Sequence, residues 1–225
     1  LGTAWQLRTN GTLKLIADVA AFEGANDPDG EGADSNPTGA YNDAAGTYIA
    51  DAGANAILQV AANGRTSLVA VLANRTVPTP PFLPRPPFEE TLSMQPVPTN
   101  VVRGPDGALY VSQLTGFPFP KGGANIYRIV PGSAPTVFAS GFTNIIDLEF
   151  DAAGNLYVLE ISTNGLLAGP GPGRLARVNL NGSIETIVSE GLVMPGGVAI
   201  GPDGAVYISN YGTSPTAGQV VKVVP

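Results

Sequence analysis

Four carboxylates crowd one short stretch of this chain, Asn26 to Asn36 (NDPDGEGADSN): Asp27, Asp29, Glu31 and Asp34. Spaced carboxylates on a turn that glycine permits are the oxygen donors a hard cation such as Ca²⁺ takes. The spacing is not that of an EF-hand loop, which needs a Glu at its twelfth position, and a plain acidic turn has the same composition. A second group is Asp147 and Glu149 in the run IIDLEF, with Asn100 at the equivalent place of a similar segment. Asn100 and Asp147 are candidates to hold a cation or water. A third group is Asp51, Gln113, Glu160 and Asn210, one polar residue at the same place in four similar segments. Such residues either cap a turn by accepting backbone N–H groups or form a polar ring around a binding site. Phe82 and Phe88, set among eight prolines between Val77 and Pro98, complete the ligand-binding candidates.

Two absences narrow the chemistry. The chain has no histidine, which excludes a Ser-His-Asp triad, a His general base and a His-ligated metal within it. It has no cysteine, which removes disulfides and thiolate chemistry. Hard oxygen donors are what remains for a metal. The net charge is −7 with three lysines, so no basic face exists for nucleic acid. No apolar run approaches the ~18 residues of a membrane span. The chain opens at Leu1 without a signal-peptide pattern, as a mature or truncated exported chain would.

The elements that must position these residues follow from a repeat. GPDGALYVSQ (Gly104 to Gln113) returns as GPDGAVYISN (Gly201 to Asn210), as DAAGNLYVLE (Asp151 to Glu160) and, more weakly, as NDAAGTYIAD (Asn42 to Asp51). Each copy reads as an apolar run, a tight turn and a second run rich in β-branched and aromatic residues. Two further runs follow, as in NIYRIV and PTVFAS, or RLARVNL and SIETIV around an Asn181-Gly182 turn. Four antiparallel strands, A to D, every ~45–50 residues is the period of a β-propeller blade. The expected fold is all-β, with blades at 37–72, 99–140 and 145–189, an incomplete blade at 197–225 and a partial one at 1–17. The whole chain, 1–225, then reads as a single domain, the C-terminal part of a six-bladed propeller cut inside a blade. The turn Asp and the repeated Tyr48, Tyr110, Tyr157 and Tyr207 read as turn and packing residues.

The A–B and C–D turns are short. The long connections, Asp18–Asn36, Ala73–Pro98, Leu114–Gly123, Ser162–Gly173 and Tyr211–Gly218, are all D–A or B–C connections. In an up-and-down blade these emerge on one rim, which is where function is expected. The proline-rich loop is either a lid or docking peptide, or a stiff connection in polyproline II geometry.

Several of these segments carry a family resemblance. DAGANAILQV looks like an NHL-type propeller repeat, and NDPDG…DSNPTG, LTGFPFPKGGANIYRIVPG, GFTNIIDLEFDAAGNLYVLE and MPGGVAIGPDGAVYISN together resemble the ScyD/ScyE family. The resemblance implies an exported, NHL-like β-propeller, secreted or periplasmic, in a family with no established reaction to carry onto named residues. Two functions are therefore expected. One is a non-catalytic binding or extracellular assembly module, using its loop-rich face and completed by upstream polypeptide, a protein partner or a second copy. The other is a metal-dependent hydrolase or lactonase of the gluconolactonase type, with Ca²⁺ in the channel. Against the second, the strand-A segments read Pro37-Thr38-Gly39, Pro98-Thr99-Asn100 and Pro195-Gly196-Gly197, with Thr or Gly where that type places a ligand.

Overall fold

Every strand pairing is antiparallel among the residues that the computed structural model describes, 2–179 and 182–224. Asn181, where a C–D turn is expected, lies outside them. The first sheet joins β3 (Pro37–Asp43), β4 (Gly46–Asp51), β5 (Ala56–Val60) and β6 (Thr66–Val71) in that order. The second joins β9 (Pro98–Arg103), β10 (Leu109–Gln113), β11 (Ala124–Ile129) and β12 (Thr136–Phe142). The third joins β13 (Ile145–Phe150), β14 (Leu156–Glu160), β15 (Arg174–Val178) and β16 (Ile184–Val188). A three-stranded sheet follows: β17 (Gly197–Ile200), β18 (Val206–Asn210) and β19 (Gln219–Val223). At the other end β1 (Thr3–Leu7) pairs only with β2 (Leu13–Asp18), and no ladder joins either strand to β19 among the described residues.

The arrangement is that of a β-propeller. The first strands of successive sheets, β3, β9, β13 and β17, pack side by side in chain order. The core is not inside any one sheet but between sheets. Tyr48 and Ile57 of the first blade pack with Val101, Leu109 and Ile129 of the second. Val102, Tyr110 and Ile126 of the second pack with Leu148, Leu156 and Val158 of the third. Tyr157 and Leu175 of the third pack with Val198, Val206 and Ile208 of the last. Because both faces of a blade are covered, strands β10 and β14 are buried at every residue, whereas the outermost β12 is mostly exposed. This explains why strand B reads as a continuous apolar run rather than a strict alternation.

The repeated turn behaves as its residues dictate. Gly107 N–H closes on Gly104 O at 2.9 Å, and the Asp106 carboxylate accepts from Ala108 N–H at 3.1 Å. That carboxylate also accepts from the Tyr110 hydroxyl at 3.2 Å and pairs with Arg128 at 2.7 Å. Asp203, Tyr207 and Lys222 repeat the arrangement in the last blade. The turn Asp is thus the hub of a turn–tyrosine–cation cluster. Tyr110 meets Phe150 of the next blade edge-on at 5.0 Å between ring centres.

Among the described residues, a helix and a hairpin form within connections read as loops, as does a short 3-10 turn at Leu166–Ala168. Residues Val19–Asn26, read as loop, form helix α1, with Asp18 as N-cap accepting from Ala21 N–H at 2.9 Å. The helix stops at Asp27, which is left-handed and returns its N–H to Glu23 O. The proline-rich loop opens and closes with a hairpin, β7 (Arg75–Pro78) and β8 (Thr91–Met94), rather than running as an uninterrupted polyproline II segment.

Candidate functional site

The polar residue ending each strand B is a clamp. Asp51 accepts from Asn36 N–H at 2.6 Å and from the Ser35 hydroxyl at 2.7 Å. Glu160 accepts from Thr143 N–H and from the Arg174 guanidinium, and Asn210 accepts from Val193 N–H at 2.7 Å. In these three blades an N–H comes from the chain just ahead of strand A, and Asp51 also caps its own B–C turn, accepting from Gly53 N–H at 3.2 Å and Ala54 N–H at 3.3 Å. Gln113 instead accepts from Asn125 N–H at 3.1 Å and from Arg75 at 3.2 Å. All four side chains are buried. They hold the D–A loops onto the disc and leave no open polar ring. Burial pushes the Glu160 carboxyl up, and Arg174 and the Thr143 N–H pull against it.

The inner strands bring Asn100 and Asp147 together, as their shared position implies. Asn100 Nδ2 donates to Asp147, Leu148 N–H donates to it at 2.8 Å, and Val198 N–H of the last blade donates at 2.7 Å. Burial raises the Asp147 carboxyl above the usual range against these three donors. Through Asn100 and Val198 it joins three blades. Glu149, two residues on, is partly buried and makes no hydrogen bond among the described residues. Burial, and then the Asp147 charge, push its carboxyl up.

On the loop-rich rim lies an apolar groove of about 710 Å³. Three connections build it: Pro78, Pro80, Pro81 and Phe82 from the proline-rich loop, Pro118 to Lys121 from the next B–C loop, and Leu167 from the one after. Phe82 and Leu167 are more than half exposed, at 64% and 52%. Phe88 lies outside this lining. Arg75 and Lys121 are the charged side chains lining it, and no acidic residue does, in a chain of net charge −7. Arg75 is committed to Gln113 and the Gly123 carbonyl, whereas Lys121 makes no hydrogen bond or ion pair among the described residues. Phe119 was not singled out in the sequence, because nothing in its own loop shows that it lines a groove with Phe82.

The acidic stretch divides. Asp27 and Asp29 converge with Glu23 of α1, a residue the linear spacing did not flag, and one carboxylate oxygen from each lies within 4.8 Å of the others. Glu31 turns away, accepting from Asn74 and from Gln95 Nε2, the latter at 2.7 Å. Asp34 is exposed; partial burial, then the charges of Asp29, Asp51 and Glu31, raise its carboxyl.

No protein-family model and no curated protein matches the chain. Solved structures do. A catalytically inactive virginiamycin B lyase from Staphylococcus aureus with quinupristin aligns at TM-score 0.59 and 13% identity, over 98% of this chain and 62% of its own. A gluconolactonase from Xanthomonas campestris aligns at TM-score 0.58 and 18% identity, over 98% and 68%. A chain of a nidogen–laminin complex aligns at TM-score 0.60 and 12% identity, over 97% and 73%. At these identities the likeness establishes the β-propeller fold. The chain spans 56–63% of the length of the first structures it matches.

Proposed function

We propose that this chain is an exported β-propeller of the ScyD/ScyE type that acts as a binding module through its loop-rich face. The observation that carries the reading is the groove between Phe82, Phe119 and Leu167. Its walls are apolar and stiffened by proline, so little ordering cost falls on the protein when it binds. Its cations are unopposed by any carboxylate of the lining. The occupant that fits is an extended segment of a protein partner with apolar side chains beside an Asp or Glu. The apolar side chains fill the groove and the carboxylate meets Lys121. Calcium is the cofactor proposed with this reading, held on the same rim.

The test is a phage-displayed peptide library selected on the immobilised protein. Peptides pairing apolar residues with Asp or Glu are expected to enrich. Lys121→Glu should weaken them by about tenfold, or 1.4 kcal/mol. Absence of enrichment, or equal binding to Lys121→Glu and Phe82→Ser, would overturn the groove as the site.

One observation favours the hydrolase reading: Glu149, a partly buried inner-strand carboxylate without a hydrogen-bond partner among the described residues. A carboxyl raised by burial suits a general base. A lactone and ester panel, run with Ca²⁺ and then with chelator, checks it. Metal-dependent turnover lost in Glu149→Gln would favour this reading over the binding module.

A further inference from the structure

The strongest unexplained feature of the molecule is Glu23. It is 1% exposed, and among the described residues neither carboxylate oxygen meets a hydrogen-bond donor. The Asp34 backbone N–H acts on its charge without reaching bonding geometry; the side-chain charges acting on it are those of Asp51, Asp29 and Asp34, all acidic. A buried carboxylate in that setting is strongly disfavoured. Protonation would remove the charge but leave the other Glu23 oxygen without a donor.

A cation would resolve it. Two oxygens on opposite sides of a Ca²⁺, at about 2.4 Å each, stand about 4.8 Å apart. The oxygens of Glu23, Asp27 and Asp29 fall within 4.8 Å of one another, so all three can touch one ion. The local backbone shapes the cluster. Asp27 sits in the left-handed conformation that ends α1, which turns the chain back over Glu23. Gly32 N–H holds Asp27 Oδ1 at 3.1 Å, and Asn55 Nδ2 holds Asp29 Oδ2 at 2.8 Å. Asn55 itself receives Val97 N–H at 3.0 Å, so Asp29 is tied to the chain leading into the second blade.

We propose that Glu23, Asp27 and Asp29 are the carboxylate ligands of a calcium site that fastens helix α1 to the acidic loop. An all-oxygen set in a chain without Cys or His selects a hard cation. Two of the three ligands sit in a loop, which suits the larger, more tolerant Ca²⁺ better than octahedral Mg²⁺. Water and loop carbonyls supply the remaining positions. Glu31 is not a ligand: its carboxylate is outside the converging group and reaches instead to Asn74 and Gln95. The site rests on the calcium part of the proposed function but is separate from the groove, so peptide binding and calcium binding can each fail without the other.

The experiment is calorimetric titration of the chelator-treated protein with CaCl₂ and separately with MgCl₂, paired with thermal denaturation. One calcium site is expected, at least about tenfold tighter than magnesium. A hundredfold excess over Kd should raise Tm by roughly 5 °C or more. Glu23→Gln, isosteric and uncharged, should cut calcium affinity at least tenfold, as should Asp27→Asn, whose exposed position keeps folding out of question. Glu31→Gln should leave it within about twofold. Absence of binding, full binding by Glu23→Gln or by Asp27→Asn, or magnesium binding equal to calcium would overturn the assignment.

Discussion

The Asp147 carboxylate accepts the backbone N–H of Val198, the second residue of the last blade's inner strand, at 2.7 Å. Asn100 donates to the same carboxylate from the other side, so one side chain links three consecutive blades. Because each donor is an N–H, the link needs an acceptor on both oxygens.

Asp147→Asn replaces one of those acceptors with an NH₂ donor. Either Asn100 Nδ2 or Val198 N–H then faces another donor. The expected loss is about 1–3 kcal/mol of unfolding free energy, the cost of a buried donor left unpaired. Urea denaturation checks it through a lower midpoint at an unchanged slope. An unchanged midpoint would mean that the carboxylate does not bridge the blades.

Tyr110 separates packing from hydrogen bonding. Its ring is 6% exposed and lies edge-on to Phe138 at 4.8 Å and to Phe150 at 5.0 Å. Tyr110→Ala should cost about 3–5 kcal/mol. Tyr110→Phe keeps the ring and loses only the 3.2 Å contact to Asp106, and should cost about 1 kcal/mol. Near-equal losses in the two variants would show that the hydroxyl, not the ring, is what the repeat preserves.

These residues were legible because a propeller writes its local rules four times. The tight turn, the following Tyr and the polar residue ending strand B recur at one register, so the turn and packing roles follow from spacing; the clamp onto the chain ahead of strand A does not, because spacing fits a turn cap or a polar ring equally. Asn100 and Asp147 were found together for the same reason. What stayed hidden depends on contacts between unlike segments. Helix α1 is only eight residues long and its capping Asp18 looks like the end of a strand. Glu23 joins Asp27 and Asp29 because that helix ends where it does, which the spacing of the acidic stretch does not reveal. Phe82, Phe119 and Leu167 come from three different connections, and only the closure of the disc sets them around one groove.

Two glycines near the acidic loop should respond in opposite directions. A Cβ on Gly53 would stand 1.7 Å from the Asp34 carbonyl oxygen, a backbone atom, so the loop would have to move away. Gly53→Ala should therefore lower Tm and weaken calcium binding together. Gly24 lies inside α1 with nothing within 4 Å of an added Cβ. Gly24→Ala should gain about 0.5–1 kcal/mol from helix propensity, with calcium affinity unchanged. Thermal melts with and without CaCl₂ read both variants, and a destabilised Gly24→Ala would mean that α1 is not helical there.

The charge on Glu23 sets a pH dependence that calcium should cancel. In chelator, burial and then the Asp51 and Asp29 charges push its carboxyl from 4.5 to about 7. The folded state thus holds this proton more tightly than the unfolded chain does. Stability from this group is fully present below about 4.5 and is lost as pH rises through about 7. The calcium-free protein should then give a falling urea midpoint between pH 5 and 8, and Glu23→Gln should flatten that fall by removing the titrating group. Saturating calcium must displace the same proton, so the stabilisation gained from the ion should grow across the same interval. Urea midpoints at matched ionic strength, in chelator and in CaCl₂, measure both slopes. If wild type and Glu23→Gln fall in parallel in chelator, Glu23 titrates as an ordinary exposed carboxylate and its buried, unpartnered state is wrong.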